Sequence, residues 1–507
     1  MIVSMTEIEI KLQVPAAARA AVEREVAAGS ASRRVRLQAL YFDTPDRRLA
    51  AAGCALRLRK EGRRWVQTLK TGSAHGVARG EHNVVRALPA GQAPEPDLAL
   101  HAGSPPGELL AALLEPGMAL VALYRTDIWR RTRRARSRRG SVELAFDRGE
   151  IVAQGADGTL RRWPVCELEV ELVGGSPLAV TEVAARWSAR HGLWIDSRSK
   201  AERGDRLARG LGPGDRVPPV KAVPLRWRKA MTPATAWQAL LENILAQALP
   251  NWSEFAAGGP AADAVHQLRV ALRRLRSAGR FVEGWPGLPA LPSGEAAAAL
   301  FRRLGALRDR DVLALGPQAA IDAALAACGE PALPASPAAA AADWSDADRA
   351  AQGQVLLDLI AARLEPAAPA DEAAAEPTPA LRELAAQRLG DWHARLRKDA
   401  RHFGALDDEA RHRLRKRLKR LRYAVDFSAG LFPKESVKAY LARLGEAQDR
   451  LGEFNDLCVA LAAYRPLAEQ EPRAWFAVGW LAARRAEALA AADAALRRWR
   501  RAEPFWR

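Results

Sequence analysis

Glu7, Glu9 and Lys11 occupy alternate positions of the stretch Glu7-Ile8-Glu9-Ile10-Lys11-Leu12. Residues two apart share one face of a β-strand, so two carboxylates and an ammonium stand side by side, with aliphatic residues opposite. Such a set can hold a divalent cation and an anionic ligand together. Similar alternation recurs at Ala55-Leu56-Arg57-Leu58-Arg59, Val66-Gln67-Thr68-Leu69-Lys70, Val142-Glu143-Leu144-Ala145-Phe146-Asp147 and Glu167-Leu168-Glu169-Val170-Glu171-Leu172. Across the set Glu7, Glu9, Glu143, Asp147, Glu167, Glu169 and Glu171 stand against Lys11, Arg57, Arg59, Lys70 and Arg125. One charged strand face ordinarily meets water. Five of them, dense in both signs, fit the lumen of a closed sheet, where each charge needs compensation by another charge, water or a ligand. Carboxylates for metal and Arg and Lys for oxygens suit a short, highly charged phosphate chain carried with a divalent cation.

Two helical stretches, 16–28 and 176–191, interrupt these strands and can cover an apolar outer face; the second opens on Ser176-Pro177, a pair that suits a helix N-terminus. Glu81, near Arg79, reads as a salt-bridge partner, and Glu143 and Glu167 as carboxylates behind or beside the main set. The run from Arg130 to Gly140 is dense in arginine and reads as a hairpin tip in solvent, or as an electrostatic funnel for anions, with Arg131 at the parity that reaches inside.

At 507 residues and 49% hydrophobic, the chain exceeds one core. It carries 77 basic and 59 acidic residues, net +18, which favours polyanionic partners. Cys54, Cys166, Cys328 and Cys458 are far apart and form no CxxC pair, so neither a disulfide framework nor a zinc site is expected. The start Met1-Ile2-Val3-Ser4-Met5 lacks the pattern of a secretion signal and no long uncharged apolar run follows, so a cytoplasmic protein without a membrane partner is expected.

Gly and Pro punctuate 210–224, placing a linker at 211–231 between a strand-rich region, 1–210, and a helical one, 232–507. Trp237, Leu240, Leu241, Ile244, Leu245 and Leu249 form the first apolar helical stripe. The helical region contains a duplication, with repeats at about 232–345 and 380–500. His266, Arg269, Arg273, Arg276 and Phe281 recur 146 residues later as His412, Arg415, Lys419, Arg422 and Phe427, and Leu268, Leu272 and Leu275 recur as Leu414, Leu418 and Leu421. At about 100° per residue the first copy's His and Arg positions fall within roughly 80°, with the leucines opposite. Each copy is an amphipathic helix with one cationic seam. A second shared piece, Leu304-Gly305-x-x-Arg308-Asp309 and Leu451-Gly452-x-x-Asn455-Asp456, follows in each half. A repeated His-led basic stripe points to an anion site, and its cationic neighbours argue against a metal there. Two Ala/Pro-rich pieces, 329–342 and 365–380, read as loops or insertions.

The ordered series Glu7-x-Glu9-x-Lys11, Tyr41-Phe42-Asp43-Thr44-Pro45, Gly53-x-Ala55-Leu56-Arg57-x-Arg59, Thr68-Leu69-Lys70, Arg125-Thr126-Asp127, Asp147-x-Gly149, Glu167-x-Glu169-x-Glu171 and Ser199-Lys200-x-x-Arg203-Gly204 resembles the CYTH superfamily, the triphosphate tunnel metalloenzymes. The resemblance implies an α+β multidomain chain whose N-terminal part is an eight-stranded antiparallel β-barrel, a tunnel open at both ends that hydrolyses or cyclises triphosphates with a metal. It implies Glu7, Glu9, Asp147, Glu169 and Glu171 as ligands of Mg²⁺ or Mn²⁺, and Lys11, Arg57, Arg59, Lys70, Arg125 and Lys200 as the triphosphate cradle, with Glu7, Glu9 and Lys11 at the chemistry. The two His-x-x-Arg helices resemble the CHAD domain, an all-α duplicated bundle that binds inorganic polyphosphate. This implies His266, Arg269, Arg273, Arg274, Arg276, His412, Arg415, Lys416, Lys419, Arg420 and Arg422 as the polyanion site, and possible association with polyphosphate granules. The expected activity is inorganic triphosphatase. Related barrels serve adenylate cyclases, thiamine triphosphatases and RNA triphosphatases, and a non-catalytic polyphosphate scaffold is the remaining alternative. A nucleoside would need an aromatic platform, for which Trp65, Tyr124 and Trp129 are the candidates. Nucleic acid is disfavoured because the basic seams lack interleaved aromatics.

Overall fold

The computed structural model describes residues 3–28, 32–62, 64–72, 78–86, 95–115, 117–155, 157–258, 262–289, 291, 294–313, 318–333, 344–365 and 379–507. The N-terminal part runs β1 (Val3–Gln13), α1 (Arg19–Ala27), β2 (Arg33–Asp43), α2 (Arg48–Ala51), β3 (Cys54–Glu61), β4 (Arg64–Thr71), β5 (Ala78–Arg86), α3 (Pro105–Leu113), β6 (Val121–Ser137), β7 (Gly140–Gln154), β8 (Leu160–Gly175), α4 (Leu178–His191), β9 (Trp194–Ile195) and α5 (Lys200–Ala208). Helices follow: α6 (Pro233–Ala256), α7 (Ala262–Val282), α8 (Gly294–Leu313), α9 (Ala319–Ala327), α10 (Asp346–Leu364), α11 (Leu381–Asp399), α12 (Asp408–Ser428), α13 (Lys434–Gln470) and α14 (Ala474–Arg500). Among the described residues no helix is long and apolar enough to cross a membrane.

The chain divides into two units, one of residues 1–221, 245–268 and 343–365, the other of 222–244, 269–342 and 366–507. In the first, the antiparallel order is β5-β4-β3-β2-β6-β7-β8-β1-β9, and β5 also pairs with β1, Glu7 opposite Arg79. The alternating stretches noted above all lie in strands. The register explains why charge collects on one side. Glu9, Lys11 and Gln13 stand opposite Glu171, Glu169 and Glu167, and Glu143 and Asp147 stand opposite Glu171 and Glu167 from the other flank of β8. A strand washed by water on one side would expose its charged face, yet Glu9 is 4% exposed and Lys11 7%. Both faces of β1 are covered.

The opposite side of the sheet is apolar. Leu56, Leu58 and Leu69 pack there with Leu49 of α2 and Leu110 of α3, while Ile151, Trp163 and Val165, on the same face as Asp147 and Glu167, pack with Leu207 of α5 on the charged side. Each fully buried aliphatic side chain contributes about 1.5–3 kcal/mol, enough to hold these short helices against the strands. Helix α10 packs on α4 and β9, so this stretch of the helical region groups with the sheet. Of the two Ala/Pro-rich pieces, 334–342 and 366–378 lie outside the described residues.

In the second unit the leucine seams are core: Leu272, Leu275, Leu414, Leu418 and Leu421 are buried. Phe281 and Phe427, the counterparts at the end of each repeated helix, meet with ring centroids 6.5 Å apart. The duplication in sequence is thus a contact in space.

Candidate active site and anion-binding cluster

The charged side of the sheet encloses a cavity of about 750 Å³. Its wall includes Glu7, Glu9, Lys11, Arg57, Arg59, Lys70, Glu81, Arg130, Glu143, Asp147, Glu169, Glu171 and Lys200. Both signs are present, and they are paired. Asp147, Glu167 and Glu169 offer carboxylate oxygens within 4.8 Å of one another, a cluster that could hold a metal. Three cations already meet it. Arg130 donates to both oxygens of Asp147, each at 2.7 Å, and pairs with Glu169. Lys200 lies 2.6 Å from Asp147 and 2.9 Å from Glu169, and both Lys200 and Arg203 pair with Glu167. Burial opposes the charge on Lys200, but Asp147, Glu167 and Glu169 outweigh it and raise its pKa well above the usual lysine range. Glu167 is fully buried and does not reach the cavity wall.

The other half of the wall sets Glu7, Glu9, Glu81 and Glu171 among Lys11, Arg57, Arg59 and Lys70. Lys11 pairs with Glu9, and Lys70 lies 2.7 Å from Glu7 and 2.9 Å from Glu81. Glu7 and Glu81 compete for that one ammonium. Burial opposes ionisation of both; Lys70 and Arg57 hold Glu81 low, while Glu9 and Glu81 add to burial in pushing Glu7 up. The Glu171 carboxyl is pushed up to about 7, first by burial and then by Glu9 and Glu169. Crowded carboxyls that retain protons near neutrality are a donor set that a divalent cation would relieve.

Helix α5 reaches these carboxylates because Gly204 carries no side chain: a Cβ there would stand 2.2 Å from the Tyr124 ring. Ser199 caps α5, accepting from the Glu202 N–H at 3.0 Å, and fixes Lys200 in the first turn. The Tyr41-to-Pro45 stretch builds a corner: Asp43 accepts from the N–H groups of Thr44, Leu49 and Ala50 at 2.7, 2.9 and 2.9 Å. Tyr41 stacks on Tyr124 at 4.7 Å and meets Arg57 at 3.4 Å.

Arg125 stands apart from the other cradle residues. It is exposed, on the side of β6 away from the cavity, whose wall takes Leu123, Tyr124, Thr126, Ile128 and Arg130 from that strand. The residue missed from sequence is Arg130. Strands β6 and β7 continue to Ser137 and from Gly140, so the arginine run is mostly strand and the tip is two residues long. Extending the alternation of β6 through that run from Thr126 would have placed Arg130 inside and Arg131 outside. Arg131 in fact lines a separate outer groove.

In the second unit the two basic seams converge. Arg269, Arg273 and Arg276 lie 4.6, 5.6 and 5.7 Å from the Phe301 ring centroid. Arg269 and Arg273 of the first repeat are close enough to Lys419 of the second, with Arg415, to depress its pKa: burial comes first, then Arg415 and Arg273, and the ammonium is pushed down to about 7. Arg276 and Arg280 act likewise on Arg420 after burial. Asp456 is a counterweight, 4.0 Å from Arg415. His412 shares a hydrogen bond with Asn455 at 2.7 Å. Asn455 and Asp456 correspond to Arg308 and Asp309, whose side chains lie outside the described set. Lys416 is exposed; Arg422 and, on α7, His266 are half-buried. Arg274 is different: 6% exposed, it pairs with Asn243 and lies 5.7 Å from the Phe427 ring, so it packs in the core.

Residues 5–204 match the CYTH domain family and residues 239–465 the CHAD domain family. An inorganic triphosphatase of Haemophilus influenzae is 30% identical over 167 residues, 32% of this chain and 44% of that protein, so the match spans less than half of the relative. Among solved structures, the CHAD domain of Ricinus communis is 29% identical with a TM-score of 0.42, covering 55% of this chain and 96% of that one. A Hippeastrum protein, an adenylyl cyclase candidate described as having a dominant triphosphatase activity, is 18% identical with a TM-score of 0.29 over 40% of this chain and 96% of that one. The chain therefore joins a CYTH domain, residues 5–204, to a CHAD domain, residues 239–465.

Proposed function

We propose that the N-terminal domain, residues 1–210, is an eight-stranded barrel whose lumen hydrolyses inorganic triphosphate to pyrophosphate and phosphate with Mg²⁺ or Mn²⁺, and that the helical domain holds polyphosphate. The return pairing of β5 to β1 supports the barrel. The observation that carries the reading is the dense, paired charge of the 750 Å³ cavity, a size suited to a small ligand. Arg57, Arg59 and Lys70 line it and would grip phosphate oxygens. Glu7, Glu9 and Glu171, with Glu169 and Asp147 alongside, would hold the cation. Bound there, it would supply Lewis acidity toward the phosphate oxygens and the attacking water. Arg130 and Lys200 hold Asp147 and Glu169 in place, so the charged groups need little reorganisation as charge shifts to the leaving pyrophosphate.

The rings on the cavity wall favour an inorganic substrate. Among the described residues they are Tyr41, Phe42 and Tyr124. Tyr41 and Tyr124 cover each other, and Gly204 of α5 is packed against Tyr124. Trp65 and Trp129 lie off the wall. The stacked pair Tyr41 and Tyr124 therefore offers a nucleobase little open ring surface. The test is phosphate release from tripolyphosphate, ATP and thiamine triphosphate with Mg²⁺, Mn²⁺ or EDTA. Metal-dependent turnover fastest on tripolyphosphate is expected; a preference for ATP, or cyclic nucleotide as product, would replace this reading with a nucleotide enzyme.

For the helical domain, the convergence of Arg269, Arg273, Arg415 and Lys419 supports one shared polyphosphate seat built from both repeats. Localisation to polyphosphate granules in the cytoplasm would follow from such binding.

A further inference from the structure

A second basic hollow lies outside the cavity of the first unit. It is a groove of about 410 Å³ beside α1, lined by Arg19, Arg34, Arg131, Arg148, Trp129 and Glu23, with part of Arg130, whose guanidinium pairs with Asp147 and Glu169, also on its wall. Four guanidinium groups face one carboxylate, and that carboxylate is engaged with Arg148 at 3.0 Å. The Nε of Arg131 is buried without a hydrogen-bond partner. The Arg34 guanidinium lies 4.3 Å over the Trp129 indole, which is 44% exposed. A guanidinium resting on a ring keeps its planar donor fork oriented, the arrangement that suits bidentate contacts to phosphate oxygens.

This groove differs from the cavity in the sign of its charge. The cavity presents carboxylates beside cations, so an anion there needs a metal partner. The groove presents cations almost alone, so an anion can enter without one.

We propose that this outer groove is a metal-independent binding site for a condensed phosphate anion, either a free inorganic chain or the phosphates of a nucleotide. Arg34 and Arg131 grip the chain, and the indole of Trp129 supports Arg34. The site lies on the face of β6 opposite its chamber side.

Tryptophan emission of the intact protein, titrated in EDTA with tripolyphosphate and separately with ATP, tests this. The part of the response lost in Trp129→Phe reports the groove alone. A saturable Trp129-dependent response to tripolyphosphate is expected, weakened about tenfold or more by Arg34→Gln with Arg131→Gln, since each removed fork takes away charge-assisted hydrogen bonds. Arg34→Glu with Arg131→Glu should abolish it, and the milder pair serves if the reversal impairs folding. Equal affinities for the two anions identify the phosphate chain as the ligand; a response to ATP alone identifies a nucleotide. No Trp129-dependent response to either, a response matched by sodium sulfate at equal ionic strength, or one unchanged by Arg34→Gln with Arg131→Gln overturns the proposal. Turnover is not read, so an inactive chamber leaves the result standing.

Discussion

The two sites are both rich in arginine and lysine, yet they are built on opposite principles. In the sheet cavity nearly every cation has a carboxylate within reach: Arg130 with Asp147, Lys200 with Asp147 and Glu169, Lys70 with Glu7 and Glu81. In the helical cluster the neighbours of Lys419 are mostly other cations, with Asp456 the single opposing carboxylate among its main influences. Balanced charge can be buried at less cost than unpaired charge and is held rigid by its partners, which suits a site that must position groups for chemistry. Unbalanced charge is poised to take up a polyanion and to release counterions on doing so. Net charge alone, +18, does not distinguish these designs.

Between the two faces of β6 the larger effect is expected at Arg130. Arg130→Ala removes a partner from two buried carboxylates, and we expect turnover to fall about a thousandfold with a stability loss of about 3–5 kcal/mol. Arg125→Ala, on the exposed side of the same strand, should change turnover by less than about threefold, since an exposed charge acts through a highly screened medium. Phosphate release and thermal melts of the two variants check this. Equal losses would mean that inner and outer faces of β6 are misassigned.

A smaller effect is expected from pH. Glu171, with its pKa pushed up to about 7, binds a proton in the folded state that an ordinary carboxyl would have released. Without metal, its contribution therefore falls as pH rises from the usual carboxyl range through about 7. Metal competes with that proton. The increase in Tm on adding Mg²⁺ should thus be greater at about pH 8 than at about pH 6; equal increases would remove Glu171 from the cation site.

The helical cluster should respond in the opposite direction and more weakly. Lys419, pushed down to about 7, is most cationic below that pH. Polyphosphate affinity should fall several-fold between about pH 6 and 8, and Lys419→Arg, whose charge does not titrate, should flatten the change. Isothermal titration at the two pH values reads it directly.

Much of this was legible in the sequence because it is local. The parity of Glu7, Glu9 and Lys11 needs only the two-residue period of a strand, and the seams need only the 3.6-residue period of a helix. Arg130 was not legible because the arginine run looked like a solvated tip, whereas antiparallel pairing with Asp147 carries the strand on to Ser137. Arg274 lies well off the arc of His266, Arg269, Arg273 and Arg276 on the helix, and the structure buries it against Asn243 and Phe427. The meeting of the two seams around Lys419 could not be read at all, since it depends on contacts between residues about 146 apart in sequence. Nor could the grouping of α10 with the sheet, which rests on packing against α4 and β9.

The division of labour is tested most directly by crossing two variants of the intact protein, Glu9→Gln and Arg273→Glu with Lys419→Glu, and measuring both tripolyphosphate turnover and polyphosphate affinity in each. Glu9→Gln should abolish turnover and leave polyphosphate affinity unchanged. The charge reversal should weaken polyphosphate binding about a hundredfold and leave tripolyphosphate turnover in place. Loss of both properties in either variant, in folded protein, would contradict two separate sites.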